Sequence, residues 1–183
     1  MAEQHFAAFA VDAAALLRLP GSGTALPGVP DSPALAELLS GRLRAGADSR
    51  YAGLLPALAG ALGTPLGGVT VPGRHWDELT GLFRQFDLPA LTAFWSRRWA
   101  FPTPGADDWP WPFPTLADRT GTAALLAELA RLDPESIPEQ ELDGLDEDDL
   151  DEAAWFLTEH LPHWAAEAHR LGLDLLLVRD GAR

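Results

Sequence analysis

One set of residues in this chain could bind a metal ion: two histidines and a glutamate near the C-terminus. His160, His163 and Glu167 lie at positions i, i+3 and i+7, so a continuous helix would place two imidazoles and a carboxylate on one flank. Pro162 falls inside this spacing, where a proline kinks or splits a helix. The HExxH order of zinc proteases is absent. We favour ordinary packing of these polar residues at the edge of a helix, and we expect no cofactor.

A second candidate is a pocket for a small anionic or aromatic ligand, built from arginines beside tryptophans. Guanidinium groups bind carboxylates and phosphates, and a histidine among them would supply a general base. The alternative is that these arginines are ordinary surface residues, because the chain contains no lysine to share that role. The candidate residues are His75, Arg84, Trp95, Arg97, Arg98, Trp109 and Trp111.

The other motifs are weak, and we identify no catalytic residue. No GxSxG nucleophile elbow occurs, and the Gly21–Thr24 segment lacks the lysine of a phosphate-binding loop. The acidic run Asp143–Glu152 lacks the ligand alternation and turn glycine of an EF-hand. Acidic side chains before a helix N-terminus, with the remainder solvated, explain this run better.

Charge is distributed unevenly along the 183 residues, whose net charge is −14. The chain up to Leu132 has 12 acidic residues and 10 arginines, whereas the remainder has 15 acidic residues and 3 arginines. Nucleic acid is excluded as a partner because the chain has no basic footprint. An acidic C-terminal quarter favours a basic protein partner instead.

Composition also bears on compartment and source. With no cysteine, the chain has no disulfide or thiolate metal site. The N-terminus lacks a basic leader, so we expect a cytoplasmic protein. The absence of lysine and asparagine indicates a GC-rich genome, and we expect an actinobacterial source.

One uncharged stretch, between Arg50 and Arg74, is long enough to cross a bilayer. Three prolines and a glycine pair interrupt it, so we predict a buried helix, a turn and a short strand. We therefore expect no membrane association.

Hydrophobic patterning predicts a single α+β domain over residues 1–183, mostly helical, in which the N-terminal and C-terminal strands pair in a small sheet. The last helix has the clearest apolar stripe, from Leu150 to Leu171, with Pro162 inside it. Leu88, Leu91, Trp95 and Trp99 are predicted to share a face of another helix. We predict strands at 5–11 and 173–178; helices at 13–19, 33–46, 48–62 and 118–132, and after Gly73; a Gly/Pro loop at 20–30; an aromatic Pro-rich connection at 100–117; and an acidic linker at 133–149.

The aromatic connection is the unexplained part of this pattern. Residues 94–114 hold four of the seven tryptophans and five prolines. Proline supplies no backbone N–H and favours an extended path. We therefore predict that Trp109–Phe113 crosses the helices as an irregular lid, over either the core or a ligand.

Four segments together carry a resemblance to a family. These are HFAAFAVDAAALLRL, RYAGLLPALAGALG, FPTPGADDWPWPFPTL and FLTEHLPHWAAEAHRLGLDLLLV. They resemble a group of uncharacterised actinobacterial proteins distantly related to the YfbM-like family. The resemblance implies a one-domain α+β fold and carries no activity or site residue.

Two functions follow from these observations. The first is an intracellular interaction or regulatory protein, of the antitoxin or immunity kind, whose acidic C-terminal quarter and exposed aromatics engage a basic partner. The second is a cofactor-independent enzyme or small-molecule-binding protein of actinobacterial metabolism with an aromatic pocket. A flat exposed tryptophan patch would favour the first, and a pocket with convergent polar groups would favour the second.

Overall fold

Four strands and six α-helices make up the described part of the chain. The computed structural model describes residues 3–43, 51–72, 87–101, 112–133, 151 and 154–181. The strands are β1 (Glu3–Val11), β2 (Thr64–Pro72), β3 (Phe113–Ala117) and β4 (Asp174–Gly181). The helices are α1 (Ala13–Leu17), α2 (Pro33–Leu39), α3 (Leu54–Leu62), α4 (Pro89–Ser96), α5 (Arg119–Leu129) and α6 (Leu161–Leu171), the last preceded by a π-helical turn (Phe156–His160).

The strands form one antiparallel sheet in the order β2-β1-β4-β3. The predicted pairing of the terminal strands is confirmed, because β1 and β4 pair from Gln4 opposite Gly181 to Val11 opposite Asp174. The fold is α+β, as predicted. The sheet is larger than the two-strand pairing the sequence suggested, since β2 and β3 extend it on either side.

Helices cover both faces of this sheet. Side chains alternate along a strand, so Phe6 and Leu177 lie on the first face, with α4, α5 and α6. Phe9 and Leu176 lie on the second face, with α1, α2 and α3. The consecutive apolar residues of β4 are therefore buried on both sides, as expected for a strand between two helical layers.

Several predicted helix starts are confirmed by their caps. Asp12 accepts a hydrogen bond from the Ala15 amide at 2.8 Å, and Ser32 accepts one from the Leu35 amide at 3.1 Å, before Pro33 in the first turn. Side-chain caps of this kind are each worth about 1 kcal/mol. They explain why short helices begin where they do.

Trp99 departs from its predicted position. The apolar spacing of Leu88, Leu91 and Trp95 continues to Trp99, but α4 ends at Ser96. Trp99 packs against the second-face cluster, whereas the other three belong to the first-face cluster. The reason is that the chain after Ser96 is extended and pairs with β3, which overrides the helical period.

The connection around Pro114 and the last helix also differ from prediction. Residues Phe113–Ala117 form β3 and not the end of an irregular lid. The predicted continuous final helix passes through the π-helical turn, and α6 follows with Pro162 in its first turn. Pro162, which has no amide hydrogen, directly follows this turn, where the Leu161 amide donates to the Phe156 carbonyl and the hydrogen-bond register of the helix changes.

Candidate functional site

An open groove of about 560 Å³ lies beside β3. Helix α4 forms one wall, and β3 with the first turn of α5 forms the other. Leu17 of α1 reaches it from the second-face layer. We call it the β3 groove, and its principal lining residues are Phe94, Arg97, Arg98, Trp99, Leu116 and Asp118.

The charged end of the β3 groove is placed by the chain leaving α4. Arg97 ends this helix with an extended backbone, at φ −94° and ψ 103°. Arg98 then forms a bridge opposite Thr115, and the Trp99 amide donates to the Pro114 carbonyl at 2.7 Å. The segment thus runs as a short extra strand along the outer edge of β3.

The two adjacent arginines have different surroundings. Arg98 Nη2 donates to the Pro112 carbonyl at 3.2 Å, and its guanidinium carbon lies 5.8 Å from the centre of the Phe113 ring. Arg97 is exposed, and its side chain has no hydrogen bond or ion pair with any described residue. A solvated guanidinium at the mouth of an apolar groove is suited to binding an anion.

Behind Arg98, a buried arginine joins the groove to the core. Arg179 of β4 is 4% exposed, with its guanidinium carbon 4.3 Å from the Trp95 ring centre and 4.5 Å from that of Phe113. The rings and cations therefore alternate in the order Trp95, Arg179, Phe113 and Arg98. We call these four residues the cation–π stack. Such contacts strengthen when they are shielded from water.

Trp95 consequently belongs to the core and does not line the groove. Its side chain is 1% exposed and makes edge contacts with Phe6 and Phe156, at ring-centre distances of 5.8 and 5.9 Å. Its carbonyl, in the last turn of α4, accepts a hydrogen bond from Arg179 Nη2 at 2.7 Å. Trp95 is therefore linked to the groove residue Arg98 through Arg179 and Phe113.

Comparison with known proteins assigns no function to the β3 groove. No protein-family model, curated protein or solved structure matches the chain. The YfbM-like resemblance stays a prediction, and the groove's own chemistry is the basis for its function.

Of the three candidate ligand-binding residues that the structure describes, Arg97 and Arg98 line the β3 groove and Trp95 does not. Sequence reasoning missed Phe113 as an anchor and Arg179 as a buried cation, because an arginine ending an apolar run gives no sign of burial. The remaining candidates, His75, Arg84, Trp109 and Trp111, lie outside the described residues, as does the acidic run before Asp151.

The candidate metal set surrounds the π-helical turn and the start of α6. His160 packs between Trp155 and Trp164, with ring-centre distances of 4.2 and 5.5 Å, and its Nε2 is buried without a hydrogen-bond partner among the described residues. His163 is exposed, and the Glu167 carboxylate is bound by Arg170.

No group of three or more metal-ligating side chains is found in the ranges that the structure describes. The Glu167 carboxylate is engaged by Arg170, which donates to it through Nε and Nη2. The metal site stays a prediction of the sequence.

Among the described helices, none has both the length and the apolar character required to span a bilayer. The uncharged stretch instead contains α3 and β2, as the sequence predicts.

Proposed function

We propose that this protein binds a small anionic ligand with a flat aromatic or apolar part in the β3 groove. The observation that carries the proposal is the Arg97 guanidinium, which no described residue binds, beside the half-buried Trp99 at the groove's end. The volume of about 560 Å³ lies within the range of small-molecule sites. An anion on Arg97 would orient the ligand, and its apolar part would lie along the groove.

The groove's chemistry supports binding more than catalysis. Phe94 and Leu116 supply apolar surface. The acidic residue of the lining, Asp118, is already engaged as the cap of α5, accepting from the Gly121 amide at 2.7 Å. No base in the described lining is therefore left to move a proton, and selective binding is the role we propose.

The proposal is tested by titrating ¹⁵N-labelled protein with phenyl phosphate and, separately, benzoate. We expect saturable shifts of the Gly121, Ala100 and Leu116 amides with either anion, because these residues line the groove. Benzyl alcohol keeps the ring without the charge, and inorganic phosphate keeps the charge without the ring, so each should bind more weakly. Absence of saturable groove shifts with both anions would refute the proposal.

We also propose a second function, recognition of a basic protein by the C-terminal quarter, as an antitoxin-like or immunity-like interaction protein would require. Its support is Trp155, which is 51% exposed and comes three residues after Glu152, the last residue of the acidic run. A basic side chain of the partner would bind the exposed indole of Trp155 through a cation–π contact.

A nine-residue peptide of alternating arginine and leucine is a direct probe of this surface. We expect Trp155→Ala to weaken peptide binding severalfold, with affinity falling as salt rises. Leu171→Ala is the matched control, because Leu171 is also an exposed apolar residue on the last helix. Equal affinities for these two variants would contradict a role for Trp155.

A further inference from the structure

We propose that the two adjacent arginines of the β3 groove have different roles: Arg97 contacts the ligand's anionic group, and Arg98 is a positioning residue. The division rests on the proposed binding function. It specifies that Arg97 recognises the anion. Arg98 instead holds the wall of the groove in position.

Strand geometry separates the two side chains. Residues 97–99 run extended beside β3, and successive side chains of an extended segment point to opposite sides. Arg98, opposite Thr115, lies on the side of the first sheet face, toward Phe113. Arg97 therefore shares its side with Trp99, which packs against the second-face cluster.

The contacts of Arg98 hold it in place from two directions. Its Nη2 is bound to the Pro112 carbonyl, and its planar guanidinium lies over the Phe113 ring. The same ring also contacts Arg179, which is buried and lies against Trp95. A guanidinium held in this way is already engaged, whereas Arg97 can turn to an anion without breaking a contact within the described residues.

The role that follows for Arg98 is to fasten the end of α4 to β3. It joins residues 97–99 to the strand together with the Trp99–Pro114 hydrogen bond. Without its side chain, the groove wall would lose the link to the Pro112 carbonyl and keep the Trp99–Pro114 hydrogen bond. Arg97 would then be less well placed beside Trp99, but its charge would remain.

The matched pair Arg97→Ala and Arg98→Ala distinguishes the roles, with phenyl phosphate as the ligand. For Arg97→Ala we expect Kd to rise tenfold or more, as loss of a charged hydrogen bond implies, with Tm unchanged. For Arg98→Ala we expect Tm to fall by about 2–6 °C, and Kd measured well below Tm to rise by a smaller factor.

Conservative variants sharpen the distinction. Arg97→Lys should recover part of the lost affinity, since an ammonium still binds an anion. Arg98→Lys should recover little of the lost Tm, since lysine lacks the planar group that stacks on Phe113. If the Arg98 substitutions raise Kd as much as those of Arg97 and leave Tm unchanged, the division of roles is wrong.

A measurement without ligand tests the positioning role alone. The Nε–H resonance of Arg98 should be displaced by the ring current of Phe113, and Phe113→Leu should abolish that displacement. If the unsubstituted protein binds neither phenyl phosphate nor benzoate, the proposed function and the role of Arg97 both fail. An unshifted Arg98 resonance would overturn the positioning role even if ligand binds.

Discussion

Glu167 and Arg170 form the best-defined ion pair on the surface of α6. Arg170 donates to Glu167 Oε2 through Nη2 at 2.7 Å and through Nε at 3.0 Å. These hydrogen bonds, and the nearby charges of Arg170 and His163, hold the pKa of the Glu167 carboxyl below its ordinary value despite some desolvation. The same pair raises the pKa of Arg170.

The sign of the resulting pH dependence follows from linkage. A carboxyl whose pKa is lower in the folded state stabilises that state above its ordinary pKa and loses the contribution as pH falls through the folded value. We expect Arg170→Gln to return the Glu167 pKa towards its ordinary value. Because the pair is exposed, its effect on unfolding should be small.

Carboxyl ¹³C titration by NMR measures this pKa directly. Arg131→Gln, which removes an exposed arginine from the chain after α5, serves as the control and should leave the Glu167 curve unchanged. A Glu167 midpoint that is the same with and without Arg170 would show that the hydrogen bonds in this pair are not maintained in solution.

Helix α4 is held at both ends by buried charges of opposite sign. Glu128 of α5 is 6% exposed and accepts from the Ala90 and Leu91 amides at 2.9 and 2.8 Å. Arg179 donates to the Trp95 carbonyl in the last turn. A carboxylate at the N-terminus and a guanidinium at the C-terminus both complement the helix dipole. An eight-residue helix needs such support, because isolated helices of this length are unstable.

We expect Glu128→Gln to lower the free energy of unfolding by about 1.5–3 kcal/mol, because hydrogen bonds from two amides to a charged acceptor are weakened in a buried site. Urea unfolding measures the loss, and faster hydrogen exchange at the Leu91 amide would locate it at the start of α4. Glu159→Gln is the control, since Glu159 is exposed. Equal stability of the two variants would contradict this role of Glu128.

The elements that could be predicted are those that are specified by residues close together in the sequence. The helix starts at Ala13 and Pro33, and the apolar patterns of β1 and β4, depend on neighbouring residues and were predicted correctly. Trp99 was misplaced because its helical spacing is real but its extended backbone depends on distant β3. The strand β3 itself was missed because it is short and contains a proline, which is typical of an edge strand.

For the whole molecule, the α+β class and the pairing of β1 with β4 were predictable, whereas the candidate site was predictable only in part. Arg97 and Arg98 were identified from their residue type. Phe113 and Arg179 were not, because their roles arise from contacts between strands and a helix that are far apart in sequence. The groove is lined by residues from α1, α4, β3 and α5, so no single segment of the sequence encodes it.

The register of β1 and β4 has a mechanical consequence. Gln4 lies opposite Gly181, so these two positions are neighbours at one end of an antiparallel pair. The hydrogen bonds of such a pair run perpendicular to its strands. Tension applied between these two positions would load the bonds one after another and open the centre of the sheet like a zipper. A force applied at Gln4 and Gly181 would therefore separate β1 from β4, the central pair of the sheet on which both helical layers pack.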